Sequence, residues 1–586
     1  MNPREDTVLL KMNYDDVFRY IGEFGRYQKL LYFLICLPQI FSGIQTFLPV
    51  FILHVPDHRC APSTDVSGVP KSLDYHSYKV NGTDVIRPHS KDQEKRVTHL
   101  KCDIIYETQN NLSREAGNST TYEKEKCNAW IYDKEQFDIT FAMETNLVCE
   151  KKGDRTHAVM SFMAGLTVGA LSTGFISDLY GRKKALMLSL TLITIPNIGL
   201  TFVKDYLVFV ALRFISGFSV SGLLGTGFIM GMEIVGPTKR AWAGLVFEFF
   251  WAFGTMILAL VAYLIRDWRT LNLVVSVPPV LFFSYIWLVP ESPRWLLSKG
   301  RSQEAEEILR NTARLNRRNS LPSGTLVAFS SETKHQRLPL WKACTHPKLM
   351  YQLTVLFYGW MVVSMVFYGL AMNSSNIGGN LFLSYFMSSL AELIGFAGCL
   401  TALHRVGRRY VFTVSVLFSG AACIVTIFPV LYASKDFQWV AMALSTIGKV
   451  FVSSAFAVMF LYSGEIFPTV IRNSALGIAA VFARVGGMVA PYIIDISVHM
   501  DHDLGKAIPL IVFGVTAILA GIVALKLPET KDMALPETID DWLNLGKVRA
   551  VDLELRISSC EKLKNEDCKD KSTGIEDSQN DIHLLS

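Results

Sequence analysis

Two short stretches of the chain decide its fold. The first is Gly174-Phe-Ile-Ser-Asp-Leu-Tyr-Gly-Arg-Lys-Lys184, which joins two apolar segments. The second, Arg405-Val-Gly-Arg-Arg409, joins two later apolar segments, and its Gly407-Arg408 pair matches Gly181-Arg182 of the first stretch. Short loops rich in arginine and lysine are typical of the cytoplasmic side of a membrane protein. Their recurrence indicates an internal repeat, as in many membrane transporters.

Two further pairs of motifs extend the repeat in the same order. A glutamate precedes an arginine by seven residues at the end of the fourth apolar segment and again at the end of the tenth. The sixth and twelfth segments end in Pro-Glu-Ser and Pro-Glu-Thr. The residues concerned are Glu233 and Arg240, Glu465 and Arg472, Pro290-Glu291-Ser292, and Pro528-Glu529-Thr530. The members of each matched pair lie at nearly the same separation along the chain, which predicts two halves of six segments each.

The composition agrees with a chain that crosses a membrane many times. Half of its 586 residues are apolar, the mean hydropathy is +0.28, and only 19% are charged. About 20 apolar residues cross a bilayer. Segments of this kind lie near 29–53, 157–178, 185–203, 206–232, 241–263, 270–289, 351–371, 381–403, 410–432, 438–461, 473–498 and 507–527. The net charge of +5 is too small for a nucleic-acid binder. We predict an all-α membrane protein with twelve transmembrane helices.

Polar stretches between these segments predict the domain organisation. The parts are a cytoplasmic N-terminus (1–28), an N-terminal six-helix bundle (29–289) with a large extracellular loop (54–156), a cytoplasmic central loop (290–350), a C-terminal six-helix bundle (351–527), and a cytoplasmic tail (528–586). The arginines and lysines of the short loops place both termini in the cytoplasm. The tail is charged and poor in aromatic residues, so we expect it to be disordered.

The chemistry of the 54–156 loop agrees with an extracellular position. It holds three acceptor patterns for N-glycosylation, at Asn81, Asn111 and Asn118. It also holds four cysteines, Cys60, Cys102, Cys127 and Cys149, and an even number in an oxidising compartment predicts disulfides. Three pairings are possible, and the sequence does not select among them. A glycosylated outer loop favours the plasma membrane.

Several motifs resemble those of one transporter family. They are the segment 174–184, Arg213-x-x-x-Gly217, Cys127-x-x-Trp130-x-Tyr-Asp133 with Asn146-Leu-Val-Cys149, Pro290-Glu-Ser-Pro-Arg-Trp295, and Tyr462-x-Gly-Glu-x-x-Pro-Thr-x-x-Arg472. The first two resemble motifs of the major facilitator superfamily, and the set resembles solute carrier family 22, the organic ion transporters. Gly22-Glu-Phe-Gly-Arg26, Phe367-Tyr-Gly369 and Asn376-x-Gly-Gly379 resemble its carnitine and zwitterion branch. The resemblance implies a six-plus-six major facilitator fold that transports by alternating access.

Charged residues at the predicted cytoplasmic helix ends suggest a conformational gate. The candidates are Asp178, Arg182, Glu233 and Arg240 in the first half, with Glu465 and Arg472 in the second. Ion pairs among such residues would break and re-form as the halves rock. The alternative is that they only anchor helix ends.

Few ionisable residues lie inside the predicted spans, where each costs about 2.5–3.5 kcal/mol by insertion scales. Arg484 is the strongest candidate for substrate binding, because the resemblance implies an arginine here in anion and carnitine carriers. A guanidinium also grips a carboxylate with two parallel hydrogen bonds. Glu392 and Glu248 are candidates for attracting a cation or a coupling proton. For Arg213 and Lys449 we favour a structural role.

Aromatic and polar residues complete the predicted site. Trp360 and Phe367 are seven residues apart in one span and therefore share a face, with Tyr368 beside them. Aromatic faces bind quaternary ammonium groups. Gln45, a polar residue in the first span, is a further candidate for the cavity.

An aromatic wall, a carboxylate and an arginine together suit a zwitterion such as carnitine. We therefore predict a transporter of organic cations or zwitterions, with carnitine-like compounds favoured and the coupling ion, sodium or proton, left open. A polyspecific organic cation or organic anion carrier is the alternative, and a non-transporting receptor is a hypothesis from another class. The chain contains no Gly-x-x-x-x-Gly-Lys-Ser/Thr loop and no zinc-spaced His/Cys cluster, so we predict no enzyme, cofactor or metal.

Overall fold

The computed structural model describes most of the chain outside parts of the predicted loops and tails. The described residues are 14–61, 83–86, 93–110, 119–318, 346–375, 380–434, 437–468, 471–499, 503–531, 533, 536 and 542. The predicted glycosylation residues Asn81, Asn111 and Asn118 lie outside them, as does nearly all of the predicted tail.

The described part of the first half contains six long helices. They are α1 (Arg26–Ile52), α2 (Lys152–Tyr180), α3 (Arg182–Leu200), α4 (Tyr206–Ile234), α5 (Arg240–Leu264) and α6 (Trp268–Leu288). Side chains define two of the starts: Asp205 accepts hydrogen bonds from the first turn of α4, and Asp267 does so for α6. Within α6, Pro278 opens a 3₁₀ stretch, Pro278–Ser284, because proline lacks the amide that continues an α-helix.

The second half contains the other six helices in the same order. They are α7 (Pro347–Met372), α8 (Leu381–Arg405), α9 (Arg408–Tyr432), α10 (Gln438–Ile466), α11 (Arg472–His499) and α12 (Asp503–Ala524). The helices α4 and α10 have the same length, and their first and last residues are related by the offset that relates Glu233 to Glu465. The repeat inferred from short motifs therefore extends through whole helices.

Eleven of these twelve helices are long and apolar enough to cross a bilayer. The other, α3, has 19 residues, and its three leading basic residues and Pro196 lower its mean hydropathy. It packs between its neighbours in the first half and completes the set. The predicted twelve-helix fold is thus confirmed, and several helices extend past the apolar segments into charged ends.

Small residues let corresponding helices of the two halves approach closely. A Cβ atom on Gly169 of α2 would lie 2.6 Å from the carbonyl oxygen of Phe218 in α4. On Gly395 of α8 it would lie 2.4 Å from the carbonyl oxygen of Val450 in α10. Phe218 and Val450 occupy equivalent positions of the repeat, so both halves use the same close contact.

Short helices cover the end of the first half that carries the basic loops. Val17–Ile21 packs with Pro293–Ser298 and with the amphipathic helix Ser302–Leu315 around a cluster that includes Phe18 and Leu309. We call this end of the molecule, which holds Arg182 and Arg408, the basic end, and the opposite one the loop end. The predicted central loop therefore begins with structure that buttresses the basic end.

The loop end carries a small β structure that the sequence analysis did not predict. Strands β1 (His58–Cys60) and β6 (Trp130–Tyr132) pair with each other, and β2 (Thr83–Ile86), β3 (Gln93–His99), β4 (Asp103–Asn110) and β5 (Ser119–Lys126) form an antiparallel sheet in that order. Cys60 is joined to Cys127 and Cys102 to Cys149, which is one of the three pairings left open. An ion pair of 2.6 Å between Glu144 and Arg269 ties this loop to α6.

Candidate substrate cavity

A cavity of about 810 Å³ lies between the two halves and opens at the basic end. Helices α4 and α5 form one wall, and α7, α8, α10 and α11 form the other. Arg240, Arg408 and Glu465 lie at its mouth, and Glu248 follows Arg240 by eight residues, about 12 Å along α5. The volume suits a small organic molecule.

The two halves each contribute one charged side chain to the deeper part of this cavity. Glu248 comes from α5 of the first half, and Arg484 comes from α11 of the second. Their charges attract each other, yet no carboxylate lies within 4 Å of the Arg484 guanidinium in the described part of the chain. The cavity therefore presents an anionic and a cationic group that are not neutralised by direct contact with each other.

Aromatic rings line the second-half side of the cavity. Trp360 of α7 packs edge-on against Phe460 at 4.6 Å and against Phe456 at 6.0 Å between ring centroids. Its indole nitrogen donates a hydrogen bond of 2.9 Å to Ser463 Oγ, which fixes the ring. All three rings contact the cavity. They form an apolar, π-rich wall near Arg484, of the kind that binds a quaternary ammonium group.

A second group of aromatic rings closes the molecule at the loop end. Phe51 of α1 stacks on Phe382 of α8 at 5.9 Å, and it also meets Tyr385 edge-on at 5.0 Å. Phe47 of α1 contacts Tyr368 of α7 at 5.9 Å. These contacts join the two halves above the cavity. Because the other end is open, the structure is an inward-open state if the basic end faces the cytoplasm, as we predict.

Glu392, a predicted substrate contact, does not line the cavity. Its carboxylate is 2.9 Å from Lys449 Nζ, and both side chains are almost completely buried. In this conformation Glu392 is therefore paired with Lys449 and is not open to the cavity. A carboxylate buried in the membrane needs a cation, and Lys449 of the neighbouring α10 supplies it.

Three other predicted contacts lie behind the cavity wall instead of on it. Gln45 accepts two hydrogen bonds from the guanidinium of Arg213. One, of 2.9 Å, goes to the Gln45 backbone carbonyl, and the other, of 3.4 Å, goes to its side-chain oxygen. The Phe367 ring faces Lys449, and the Tyr368 ring packs against Phe47 and Phe367. Of the seven predicted substrate residues, Arg484, Glu248 and Trp360 line the cavity.

The predicted gate residues of the first half form a network at the basic end. Arg182 lies 2.5 Å from Asp178 and 3.5 Å from Glu233, and Glu233 accepts a hydrogen bond of 2.5 Å from Ser292 Oγ. Arg240 does not pair with Glu233. It binds Asp15 of the N-terminal segment instead, at 2.6 Å.

The second half repeats the arginine–glutamate part of this network. Arg408 lies 3.2 Å from Glu465, which also accepts a hydrogen bond of 2.6 Å from Thr530 Oγ1. Arg472 donates 3.0 Å to the carbonyl of Phe467 and has no acidic partner within 4 Å in the described part of the chain. The ion pairs therefore lie within each half, which agrees with halves that are separated at this end.

Sequence reasoning missed several members of these networks. Glu291 accepts from the amide of Lys183 at 3.0 Å, and Glu529 accepts from the amide of Arg408 at 2.8 Å. Both belong to the repeated Pro-Glu motifs, so the repeat held the signal that they have equivalent roles. Asp15 stood outside any repeat and gave no such signal.

Comparison with known proteins identifies the family. The model of the sugar (and other) transporter family matches residues 109–542. An organic cation transporter protein from Drosophila melanogaster is 32% identical over 92% of this chain and 95% of its own length. Human solute carrier family 22 member 16 is 30% identical over 91% of this chain and 93% of its own length. The chain belongs to solute carrier family 22. It is a multi-pass membrane transporter and not an enzyme.

Other comparisons agree with this family and with the fold. Human organic cation/carnitine transporter 2 is 29% identical to this family member over 91% of the chain and 94% of its own length. A xylose transporter from E. coli, in a partially occluded inward-open conformation, superposes with a TM-score of 0.56 over 87% of this chain and 100% of its own. At 17% identity that likeness shows the major facilitator fold alone.

Proposed function

We propose that this solute carrier family 22 member transports small organic zwitterions, with carnitine-like quaternary ammonium compounds as favoured substrates. The main support for this proposal is that Glu248 and Arg484 lie on opposite walls of the cavity. Aromatic rings from helices of the second half line the wall on the Arg484 side. In this proposal Arg484 receives the substrate carboxylate. Trp360 and Phe456 hold the ammonium methyl groups, and Glu248 supplies the opposing charge.

Alternating access would carry the substrate across the membrane. The loop end opens to admit substrate, the halves rock about the cavity, and the basic end opens to release it. We place the protein in the plasma membrane, with both termini in the cytoplasm and with a glycosylated, disulfide-bonded loop outside. Asp178, Arg182, Glu233, Arg240, Glu465 and Arg472 would stabilise particular helix-end arrangements during this cycle.

A polyspecific organic cation carrier is the second candidate. It is favoured by the printed name of the Drosophila relative, an organic cation transporter protein. It predicts that removing the positive charge of Arg484 leaves cation uptake intact or raises it. A non-transporting receptor, the hypothesis from another class, predicts no flux of any substrate.

Parallel uptake assays separate these functions. Labelled carnitine, tetraethylammonium and an organic anion are each offered to cells that express the wild type or Arg484→Asp, with surface protein matched. The proposal expects saturable carnitine uptake that the variant loses. Cation uptake in both, without carnitine uptake, would replace the proposal with the cation carrier, and no flux of any compound would favour the receptor.

A further inference from the structure

A second, smaller cavity lies between the two halves at the loop end. Its volume is about 90 Å³, and it is lined by the end of α1 and by α2 from the first half, and by α7 and α11 from the second. Its polar side chains are Thr46, His54, Arg155, Thr156 and Asp495. None of these five residues lines the transport cavity. We call this space the loop-end cavity.

Each half contributes a charged group of opposite sign to the loop-end cavity. Arg155 belongs to α2 and Asp495 to α11, and their charges attract each other. No carboxylate oxygen of the described residues lies within 4 Å of the Arg155 guanidinium, so the two groups face one cavity without forming an ion pair. Opposite charges with space between them suit a ligand that carries both a carboxylate and an ammonium group.

Arg484 of the transport cavity and Asp495 of the loop-end cavity lie on the same face of α11. They are eleven residues apart, which is close to three helical turns and about 16 Å along the axis. Met488 and Pro491 lie between them at helical spacing on this face, and Pro491 lines the loop-end cavity. One side of α11 therefore leads from one cavity to the other.

A contact between the halves separates the two cavities along this face. Thr167 Oγ1 of α2 donates 3.6 Å to Met488 Sδ of α11. Pro491 lies inside α11 and lacks the amide that continues the helical hydrogen bonds, which lets the helix bend there. Because the methionine side chain is also flexible, this partition can move as the halves rock.

The loop-end cavity is too small for substrate in this conformation. Its volume corresponds to about three water molecules, which is less than a molecule with both a carboxylate and a trimethylammonium group occupies. Opening of the loop end would move Arg155 away from Asp495 and enlarge the space, because the two residues belong to different halves. A zwitterion between them would keep these charges apart, so the loop end could close only after the zwitterion had moved inward.

We propose that Arg155 and Asp495 form an outer station, which binds the zwitterionic substrate before it reaches Arg484. Arg155 receives the carboxylate, and Asp495 attracts the ammonium group. Once the substrate has left the station, the attraction between the same two residues draws the halves together at the loop end. The outer station rests on the proposed zwitterion transport and adds to it a second binding site and an order of binding.

Protection from chemical labelling tests the outer station without requiring transport. Thr46→Cys, in the loop-end cavity, is labelled with an impermeant thiol reagent in full-length chains that also carry Arg484→Ala, which disables the proposed carboxylate site of the transport cavity. We expect external carnitine to slow the labelling saturably, by at least about threefold. Adding Arg155→Gln should remove this protection.

Lys151→Gln is the matched control for the loss of charge. Lys151 is exposed just before α2 and does not line the loop-end cavity, so this variant should keep the protection. Absence of protection by carnitine, or protection that persists in Arg155→Gln, would overturn the outer station. Loss of protection in Lys151→Gln would also overturn it, because long-range attraction would then explain the effect.

Uptake kinetics distinguish the outer station from a pair that only holds the halves together. We expect Arg155→Gln to raise the apparent KM for external carnitine about fivefold without weakening the inhibition of that uptake by choline, which has no carboxylate. Asp495→Asn should weaken both, because both compounds carry the ammonium group. A pair that only stabilises the closed loop end would change both compounds alike in either variant, and that result would overturn the proposal.

The two experiments separate the outer station from the proposed function. Carnitine uptake by the wild type without protection from labelling would refute the station and retain zwitterion transport. Protection that depends on Arg155, in a chain that takes up no carnitine, would support the station and refute zwitterion transport.

Discussion

The two six-helix halves share the same helix packing and helix-end ion pairs but present different charges to the cavity. At the basic end, Arg182 and Glu233 in the first half have the same arrangement as Arg408 and Glu465 in the second. Deeper in the cavity this equivalence ends. By the offset that relates Glu233 to Glu465, Glu248 of α5 corresponds to Ala480 of α11, and both line the cavity.

The positive charge in the cavity likewise comes from one half only. Arg484 corresponds by the same offset to Ala252, which is buried and does not line the cavity. The repeat thus duplicates the contacts between helices, whereas the cavity charge differs: it is negative in the first half and positive in the second. It follows that helix packing and cavity charge can be changed separately.

We expect the largest effect from substitutions at the close helix contacts that the two halves share. Gly169→Leu and Gly395→Leu each force a side chain into a backbone carbonyl that lies 2.6 or 2.4 Å from the added Cβ atom. We expect each to cost at least about 3 kcal/mol and to abolish folded protein, measured by size-exclusion chromatography of the solubilised chain.

Matched glycines control for the substitution alone. Gly174 and Gly398 lie on the same two helices with no atom within 4 Å of an added Cβ. Gly174→Leu and Gly398→Leu should therefore elute as the wild type does. If one half tolerates its close-contact variant and the other does not, the two frames are not equivalent.

A change of cavity charge should alter selectivity and not folding. Ala480→Glu gives the second half the carboxylate that the first half has at Glu248. The added carboxylate and a substrate charge about 10 Å away would interact by about 1.7 kcal/mol at an effective dielectric constant of about 20. We expect the ratio of tetraethylammonium to carnitine uptake to rise about tenfold, whereas the uncharged control Ala480→Ser should leave it unchanged. An unaltered ratio in the surface-expressed glutamate variant would contradict the electrostatic account of the cavity.

Equivalent changes in the two basic-end networks should have similar and smaller effects. Glu465→Gln leaves Arg408 without its carboxylate partner, and Glu233→Gln leaves Arg182 with Asp178 alone. Each should change the maximal transport rate by about fivefold, equal to about 1 kcal/mol. Glu304→Gln, in an exposed pair with Arg301, is the control and should have no effect. Loss of transport in only one half would show that the repeated networks have different roles.

The smallest effect concerns pH at the loop end. His54 lies between the halves in a small cavity with Arg155 and Asp495, and Asp57 is also near. Burial, aided by the charge of Arg155, lowers the pKa of His54 to about 4, against about 6.5 in water. A neutral His54 therefore favours the closed loop end above pH of about 6.5, and this preference is lost as the pH falls toward 4.

Accessibility measurements test this pH dependence. A cysteine introduced at Thr46, which lines the same small cavity, should be labelled about threefold faster by an impermeant reagent at pH 5.5 than at pH 7.5. His54→Gln should remove the difference. A pH effect that persists in the glutamine variant would assign it to another group.

The repeat made much of the fold predictable, because apolar length and Pro-Glu motifs recur at nearly fixed offsets. It could not predict the strands of the outer loop, where β5 (Ser119–Lys126) is polar and shows no apolar alternation. In the cavity, charge and resemblance located Glu248, Trp360 and Arg484. They could not place Glu392 behind the cavity wall, because the sequence does not show that Lys449, on another helix, lies 2.9 Å from its carboxylate.

The central claim is that Arg484 binds the substrate carboxylate, and a cycle of two changes tests it most directly. Carnitine and choline both carry a trimethylammonium group, but choline lacks the carboxylate. Their apparent affinities are compared for the wild type and for Arg484→Ala. We expect the wild type to prefer carnitine by about a hundredfold and the variant to lose this preference while still binding choline. An undiminished preference for carnitine in Arg484→Ala would contradict the account.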